Sequence, residues 1–130
     1  MRNASFVAIV CALFFAVSGC SKGAKIEIGD TNSDAFKDGQ YYQSLMGLNV
    51  VGQFKAFLQR STPADRVKYI NKSVEEGPPT HVFALKGAYE AFVNDPNAEV
   101  AAAAKDAVSK VPSQEEYDRL RKEELEAMKK

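Results

Sequence analysis

The pattern of apolar and polar residues changes near Tyr41. From there to the C-terminus, apolar side chains recur at steps of three and four residues, which is the periodicity of one face of an α-helix. The two-residue alternation of strands does not appear in this region, so we predict that it is helical throughout. The residues predicted to form the inner faces are Tyr42, Leu45, Met46, Val50, Phe54, Phe57, Leu58, Val67, Ile70, Val74, Val82, Leu85, Tyr89, Phe92, Val93, Val100, Ala104, Ala107, Val108, Val111, Tyr117, Leu120, Leu125 and Met128.

Boundary signals divide this region into about five short helices. Several predicted starts carry a short polar residue, which caps the exposed N–H groups, and proline often follows at the first helical position. Glycine and proline mark the ends, and Gly47 predicts a break within the first helix. Such short connections favour antiparallel neighbours, in a closed bundle or in an open stack. The predicted caps are Thr62, Thr80, Asp95 and Ser113, the last paired with Glu116 in a capping box.

One stretch of this helical region resembles a known repeat. Residues 95–100 (DPNAEV) lead into four consecutive alanines, Ala101–Ala104, and then into Ala107 and Val108. This arrangement is similar to the core of HEAT-type helical repeats, which stack helix pairs into a curved surface that binds other proteins. The resemblance covers residues 95–111 only, lacks the basic residue that usually follows the valine, and has no clear second copy. A capped, alanine-rich helix of an ordinary bundle is the competing interpretation.

The N-terminus has a different pattern. A short start that contains Arg2 precedes twelve uninterrupted apolar residues, 6–17 (FVAIVCALFFAV). A run of this length is typical of a signal peptide, whose apolar region has roughly 7–15 residues, and it is too short for a membrane-spanning helix of about 20. Because the run is apolar on every side, it does not fit an amphipathic helix. We therefore predict that residues 1–19 are a cleaved signal peptide.

The residues after this run resemble the lipobox of bacterial lipoproteins. Val17, Ser18 and Gly19 supply an aliphatic and two small residues directly before Cys20. In that family the cysteine thiol takes a diacylglyceryl group, cleavage occurs before the cysteine, and the freed amine takes a further acyl chain such as palmitate. The resemblance implies that lipid on Cys20 holds the protein to a membrane, since two or three acyl chains make a lasting anchor. A plain secretory signal that happens to precede a cysteine is the alternative.

The residues that follow the cysteine indicate where the protein lies. Enteric lipoproteins with aspartate directly after the cysteine stay in the inner membrane, so Ser21 favours the periplasmic face of the outer membrane. Residues 20–40 are rich in glycine, serine, aspartate, asparagine and lysine, which predicts a flexible tether. The helical domain would then occupy residues 41–130.

A partial calcium motif occurs within the predicted tether. Asp30, Asn32 and Asp34 have the spacing that begins an EF-hand loop. That loop also needs glycine at its sixth position and a bidentate glutamate at its twelfth, where this chain has Ala35 and Tyr41. Coordination would be incomplete, so no metal site is predicted, and the motif is interpreted as a solvated turn.

The remaining composition excludes several kinds of chemistry. The one histidine, His81, lies at a predicted helix start, where a lone histidine is predicted to be a surface or cap residue rather than a base or a ligand. Cys11 leaves with the signal peptide, so neither a free thiol nor a disulfide is predicted. The 17 basic and 17 acidic residues balance, without the basic cluster that nucleic acid requires. No phosphate loop or other cofactor motif occurs, so no enzyme is predicted.

Together these features favour a non-enzymatic lipoprotein that binds another envelope protein through a helical surface. Assembly helpers, envelope scaffold components and exclusion lipoproteins of mobile elements share this plan of lipid, spacer and compact body. The alternative is a carrier of a small apolar ligand, held in a cavity between helices. That alternative requires aromatic side chains to line the cavity rather than fill the core. The candidate lining residues are Tyr42, Phe54, Phe57, Tyr89 and Phe92.

Overall fold

The computed structural model describes residues 31–130, and these residues contain α-helices and no strands. The prediction of an all-α fold is confirmed. The predicted signal peptide, the lipobox residues Val17 to Cys20 and the first part of the tether lie outside the described residues. Residues from Asp38 onward form one compact unit. The helices are α1 (Asp34–Ser44), α2 (Val50–Arg60), α3 (Pro63–Glu76), α4 (Pro79–Ala84), α5 (Lys86–Glu90), α6 (Ala98–Ser109) and α7 (Gln114–Ala127).

Helix α1 begins at Asp34, inside the segment that the sequence assigned to the tether. Ser33 accepts a hydrogen bond from the Phe36 N–H at 3.3 Å, and Asp34 places a carboxylate in the first turn, where the positive end of the helix dipole stabilises it. These are helix-start signals inside a polar stretch. A search for apolar periodicity misses them because the first turn of α1 has little apolar surface.

The described residues form seven helices rather than about five, because two predicted helices are divided. The first breaks between Ser44 and Val50, as Gly47 predicted, and Gly47 has a φ of 101° that favours glycine. The other divided helix is the one predicted to start near Thr80. It divides at Leu85, where its hydrogen bonding becomes tighter. The Leu85 N–H donates both to the His81 carbonyl at 3.1 Å and to the Val82 carbonyl at 3.2 Å, a mixture of α and 3₁₀ bonding.

The local cap signals were right at two helices. Thr62 caps α3 by accepting from the Asp65 N–H at 3.2 Å, with proline at the first helical position as predicted. Ser113 caps α7 by accepting from the Glu116 N–H at 3.2 Å. In both places the capping residue directly precedes a helix whose start depends on local bonding alone.

Two other predicted caps are wrong. The N-cap of α4 is Pro78, and Thr80 instead lies inside the helix and donates its hydroxyl to Glu124 Oε1 at 2.8 Å. The N-cap of α6 is Asn97, whose Oδ1 accepts from two N–H groups of the first turn. Asp95 lies two residues earlier and accepts from the Asn97 N–H at 2.8 Å. Thr80 thus bonds a distant glutamate, and Asp95, which also pairs with Arg66, precedes the true cap.

The core lies where α6 packs on α3 and α5, and where α2 packs on α5. Small residues allow this close approach, since Ala103, Ala104 and Ala107 of α6 are all buried. A Cβ atom added at Gly87 would stand 3.3 Å from Val51 Cγ1, so α5 and α2 are also in near contact. The buried apolar residues are Tyr41, Phe54, Phe57, Leu58, Tyr69, Ile70, Val82, Leu85, Ala88, Tyr89, Phe92, Val100, Ala103, Ala104 and Ala107.

The inner faces predicted from periodicity are wrong at four positions. Tyr42, Met46, Leu125 and Met128 were assigned to the core, and all four are exposed. Tyr42 is exposed because the adjacent Tyr41 occupies the buried position. For Leu125 and Met128 the cause is that α7 contributes no buried residue at all.

Candidate binding surface

The most exposed large apolar side chain of the described residues lies in the connection between α1 and α2. We call residues 45–49 (LMGLN) the tip. Leu48 is completely exposed, and Met46 is 70 % exposed. Residues 39–54, which include the tip, contain no charged side chain, although 26 % of the whole chain is charged. The tip thus exposes two large apolar side chains within a charge-free stretch of the chain.

Both ends of the tip are fixed by hydrogen bonds. On the α1 side, the Ser44 hydroxyl donates to the Tyr41 carbonyl at 2.6 Å, and the Leu45 N–H donates to the Tyr42 carbonyl at 3.1 Å. On the α2 side, Asn49 Oδ1 accepts from the Gly52 N–H at 3.0 Å and caps the helix. The bonds close the helix ends, so the tip is a defined turn from which Met46 and Leu48 project outward.

Two hollows lie beside the tip and share Leu45, Pro78 and His81. We call them together the groove. The smaller hollow, of about 200 Å³, lies between the ends of α1 and α3. The larger, of about 340 Å³, extends between α4 and α7. The other lining residues are Tyr41, Tyr42, Ser73, Glu76 and Gly77 in the smaller hollow, and Val50, Thr80, Ala84, Tyr117, Arg121 and Glu124 in the larger.

His81 stands where the two hollows meet. The sequence predicted a surface or cap residue, but the N-cap of α4 is Pro78, and the His81 side chain is partly buried. Its Nε2 atom is fully buried and has no hydrogen-bond partner within residues 31–130. Native proteins leave few buried polar atoms unsatisfied, so each one needs an explanation. Here the unsatisfied atom belongs to a residue whose side chain also lines the groove.

A lysine holds α1 against α3 at the edge of the groove. Lys72 Nζ lies 5.4 Å from the centre of the Tyr41 ring and 5.2 Å from that of Tyr42. The same nitrogen lies 3.4 Å from Asp38 Oδ1 and 3.8 Å from Glu76 Oε1. Tyr42 closes the cluster by donating its hydroxyl to Glu76 Oε2 at 3.1 Å. Cation–π and charge–charge contacts therefore fix the helix that leads into the tip.

The electrostatics of this cluster favour the charged forms of Asp38 and Lys72. The Tyr69 hydroxyl donates to Asp38 Oδ1 at 2.8 Å, and this bond, with the nearby Lys72 charge, lowers the pKa of Asp38 against the opposing effect of desolvation. Desolvation acts to lower the pKa of Lys72, but the Asp38 and Glu76 carboxylates outweigh it and raise the pKa overall. Burial also raises the pKa of Tyr41, which stays neutral. The cluster is a structural ion network rather than a set of groups ready for proton transfer.

The aromatic residues considered as a ligand lining mostly pack against one another. Phe54 lies 6.4 Å from Phe57 and 6.3 Å from Tyr89, measured between ring centres, and all three are buried. Tyr41 and Tyr69 extend this cluster with stacked rings 5.1 Å apart. These contacts are those of a core, and of these rings only Tyr41 also borders the smaller hollow.

Helix α7 forms the far wall of the groove through two contacts with α4. Tyr117 stacks on Phe83 with ring centres 4.1 Å apart, and Glu124 accepts from Thr80. Beyond these contacts, Leu125 is 45 % exposed and Met128 is 74 % exposed. Helix α7 is thus attached to α4 at a few points and leaves Leu125 and Met128 exposed to solvent.

Sequence reasoning placed several of these residues but not their arrangement. It expected Leu45, Val50, Tyr117 and His81 on helices, and the structure brings them together around one groove. No signal in the sequence showed that the groove exists, because its walls come from three separate parts of the chain, residues 41–50, 73–84 and 117–124. The lipobox residues Val17, Ser18, Gly19 and Cys20 lie outside the described residues.

Residues 31–130 hold no group of three or more histidine, cysteine, aspartate or glutamate side chains placed to bind a metal ion. In the same part of the chain, no helix combines the length and the apolar character needed to cross a membrane. Comparison with known proteins gave no significant match: no protein family model, no curated protein and no solved structure is similar to this chain. The class that fold and surface define is therefore a small all-α domain with a grooved end.

Proposed function

We propose that this protein is a bacterial lipoprotein, anchored by lipid on Cys20, whose helical domain binds a segment of another envelope protein in the groove. The observation that carries the proposal is the groove itself, with the unsatisfied Nε2 of His81 where its two hollows meet. The signal peptide at residues 1–19 and the lipobox at Val17 to Cys20 support export and anchoring. Ser21 supports the periplasmic face of the outer membrane.

The lining of the groove indicates the chemistry of the partner segment. Leu45, Val50 and Tyr117 offer apolar surface, while Glu76 and Glu124 place carboxylates at the two hollows. Glu76 already pairs with Lys72, and Glu124 accepts from Thr80. Arg121 adds a positive charge to the larger hollow. A segment with an apolar side chain flanked by polar groups fits this lining, because the rim guides orientation while the apolar centre supplies affinity. The role is that of a non-enzymatic adaptor, which needs no cofactor or metal.

The arrangement of helices supports a scaffold role. We propose that neighbouring helices run antiparallel, as the short connections at residues 61–62 and 77–78 favour. The HEAT-like segment at residues 95–111 supplies α6, whose alanines pack closely against α3. A capped helix of an ordinary bundle would pack in the same way.

The test is in-cell cross-linking from defined positions. A photo-reactive amino acid is placed at Ala84 or at Arg121, which line the groove and are exposed, and at Ala102 on the exposed side of α6 as the matched control. We expect one envelope protein to be captured from the two groove positions and not from Ala102. Capture should weaken with Cys20→Ser, because the tether raises the local concentration.

Two outcomes would contradict the adaptor proposal. Equal capture from Ala84, Arg121 and Ala102 would show non-specific proximity rather than a groove partner. Absence of any captured protein from the groove positions, with the lipidated chain present at normal levels, would favour the alternative of a small apolar ligand. Native mass spectrometry of the purified protein would then reveal that ligand as an added mass.

A further inference from the structure

We infer that the tip, residues 45–49, inserts into the interfacial layer of the membrane that carries the anchor. This inference rests on the proposed lipidation of Cys20, but not on the proposed partner. It assigns the tip and the groove different occupants, a lipid surface for the tip and a protein segment for the groove. The observations behind it are the exposure of the tip, its lack of charge and the length of chain between the lipid and α1.

The tip has the composition that a membrane interface accepts. Met46 and Leu48 project into solvent, and residues 39–54 bring no charged group with them. Insertion therefore removes apolar surface from water without desolvating an ion, which is the main obstacle to membrane entry. Tyr42, which is 49 % exposed at the base of the tip, has the apolar ring and polar hydroxyl that suit the headgroup region.

The shape of the tip favours a lipid surface over a protein partner. Leu48 is completely exposed, so its side chain has no apolar wall beside it on this protein. A protein partner would need a matching pocket for one protruding residue, whereas a fluid interface adapts to any small projection. The tip is also an irregular turn, whose free backbone groups confine it to the hydrated interface and exclude it from the hydrocarbon interior.

The length of the tether permits this contact. Residues 21–33 separate Cys20 from α1, and 13 residues span at most about 45 Å when extended. Helix α1 has 11 residues, which corresponds to roughly 16 Å. The tether is therefore long enough for the domain to turn its tip to the membrane surface. Since the lipid already holds the domain near the membrane, a contact too weak to bind a free protein suffices.

Insertion of the tip would give the domain a fixed orientation. The groove shares Leu45 with the tip and begins directly beside it. A domain whose tip lies in the interface would hold the groove close to the membrane surface. The partner segment would then be membrane-proximal, rather than one that approaches from the middle of the periplasm.

The experiment places a polarity-sensitive fluorophore at the tip. Leu48→Cys and the matched control Ala102→Cys are labelled with a nitrobenzoxadiazole group in the full-length, lipidated protein. Cys11 leaves with the signal peptide and the Cys20 thiol carries lipid, so the introduced thiol is the reactive one. Each protein is reconstituted into vesicles of phosphatidylethanolamine and phosphatidylglycerol, with or without lipids that carry a nitroxide quencher near the headgroup.

We expect the emission of the label at position 48 to shift to shorter wavelength on vesicles and to be quenched by the nitroxide lipid. The label at position 102 should show neither effect. Adding Met46→Asp to Leu48→Cys should reduce both the shift and the quenching, because a charge then enters with the tip. Met46 is exposed, so this change leaves the core intact, which far-ultraviolet circular dichroism checks.

Three results would overturn the inference in distinguishable ways. If the labelled protein floats with the vesicles but positions 48 and 102 emit alike, the anchor stands and insertion of the tip is wrong. If the protein does not float, and its mass shows no added lipid, the anchor fails and the inference fails with it. Shielding of position 48 in native envelopes but not in lipid vesicles would assign the tip to a protein partner instead.

Discussion

Helices α6 and α7 are similar in length and in their N-terminal caps, but they differ in how many of their residues are buried. They have 12 and 14 residues, and each begins with a side-chain cap, Asn97 or Ser113. Yet α6 buries four residues, whereas α7 buries none. Caps and charge pairs therefore decide where a helix begins and ends, but packing decides how much it contributes to the stability of the fold.

The composition of the two helices explains the difference. Alanines along α6 let its backbone come close to α3 and α5, so that Val100 and three alanines exclude water completely or nearly so. Helix α7 is dominated by charged residues and contacts α4 mainly through the Tyr117 ring and the Glu124 carboxylate. We expect mutations to be costly in the inner helices and mild in α7, and three comparisons test this. A fourth prediction concerns α1.

The largest expected difference is between two leucines. Leu85→Ala removes a fully buried side chain and should lower the free energy of unfolding by about 2–5 kcal/mol, from lost burial and the cavity left behind. Leu125→Ala in α7 makes the same chemical change at a 45 % exposed position and should have an effect within about 0.5 kcal/mol. Denaturant unfolding of both variants measures the two values. Similar losses would show that α7 belongs to the cooperative core.

A second comparison sets a buried ion pair against an exposed one. Arg66 Nη1 lies 3.1 Å from Asp95 Oδ2, and the Asp95 side chain is 7 % exposed. Arg66 also donates through Nε to the Leu58 carbonyl at 2.8 Å. Asp95→Ala leaves the guanidinium without its carboxylate and the Asn97 N–H without its acceptor, so a loss of about 2–3 kcal/mol is expected.

The matched control for that pair lies in α7. Arg119 and Glu123 are 2.8 Å apart, but their side chains are 59 % and 58 % exposed. Glu123→Ala should therefore cost less than about 0.5 kcal/mol. Thermal or denaturant unfolding of both variants measures the two losses of stability. A loss for Glu123→Ala as large as that for Asp95→Ala would mean that surface pairs stabilise this fold as much as buried ones.

A third comparison uses the two caps. Asn97→Ala removes the acceptor for the Glu99 and Val100 N–H groups and should lower global stability by about 1 kcal/mol. Ser113→Ala removes a similar bond, but in a helix that can fray without opening the core. Amide hydrogen exchange should show faster exchange throughout the fold for Asn97→Ala and only within α7 for Ser113→Ala. Global loss of protection with Ser113→Ala would contradict the distinction.

The smallest expected effect concerns the attachment of α1. The hydrogen bond from Tyr69 and the charge of Lys72 lower the pKa of Asp38 below its ordinary value of 3.8. A carboxyl with a lowered folded pKa stabilises the fold above the unfolded pKa and loses that contribution as pH falls through the folded pKa. Asp38→Asn should thus cost less than about 1 kcal/mol at pH 7, because the group is partly exposed.

The pH dependence distinguishes this electrostatic effect from a loss of packing. The difference in unfolding free energy between the wild type and Asp38→Asn should shrink as the pH falls below about 4, where the unfolded carboxyl is protonated. Equilibrium unfolding of both proteins across pH 2–7 measures this difference. A gap that stays constant over the range would mean that the Asp38 charge contributes nothing.

Sequence reasoning succeeded where the determining contacts are local. Thr62 and Ser113 cap helices because the N–H groups that donate to them lie three residues away, and Gly47 breaks a helix through its own backbone geometry. It failed where the competing partner is distant in the chain. Thr80 bonds Glu124, and Asp95 meets Arg66, so neither is an N-cap.

The candidate surface was less predictable than the fold. Periodicity cannot choose between Tyr41 and Tyr42, which are adjacent, and the structure buries the first while leaving the second half exposed. It also assigned Met46 to the core, whereas the break at Gly47 turns the chain away and leaves Met46 in solvent. The groove lies between segments that are far apart in sequence, so its existence depends on how the helices pack.

The sequence by itself determined that residues 41–130 are helical and where several helices begin, because helix periodicity, caps and breakers act over three or four residues. It also supplied the resemblance to a lipobox at Val17 to Cys20, which predicts the anchor. Only the tertiary structure decided which helix is buried, which apolar residues project at the tip and where the groove lies. Those outcomes depend on the competition of all helices for one small core, and α6 occupies it because its alanines pack closer than the charged surface of α7 can.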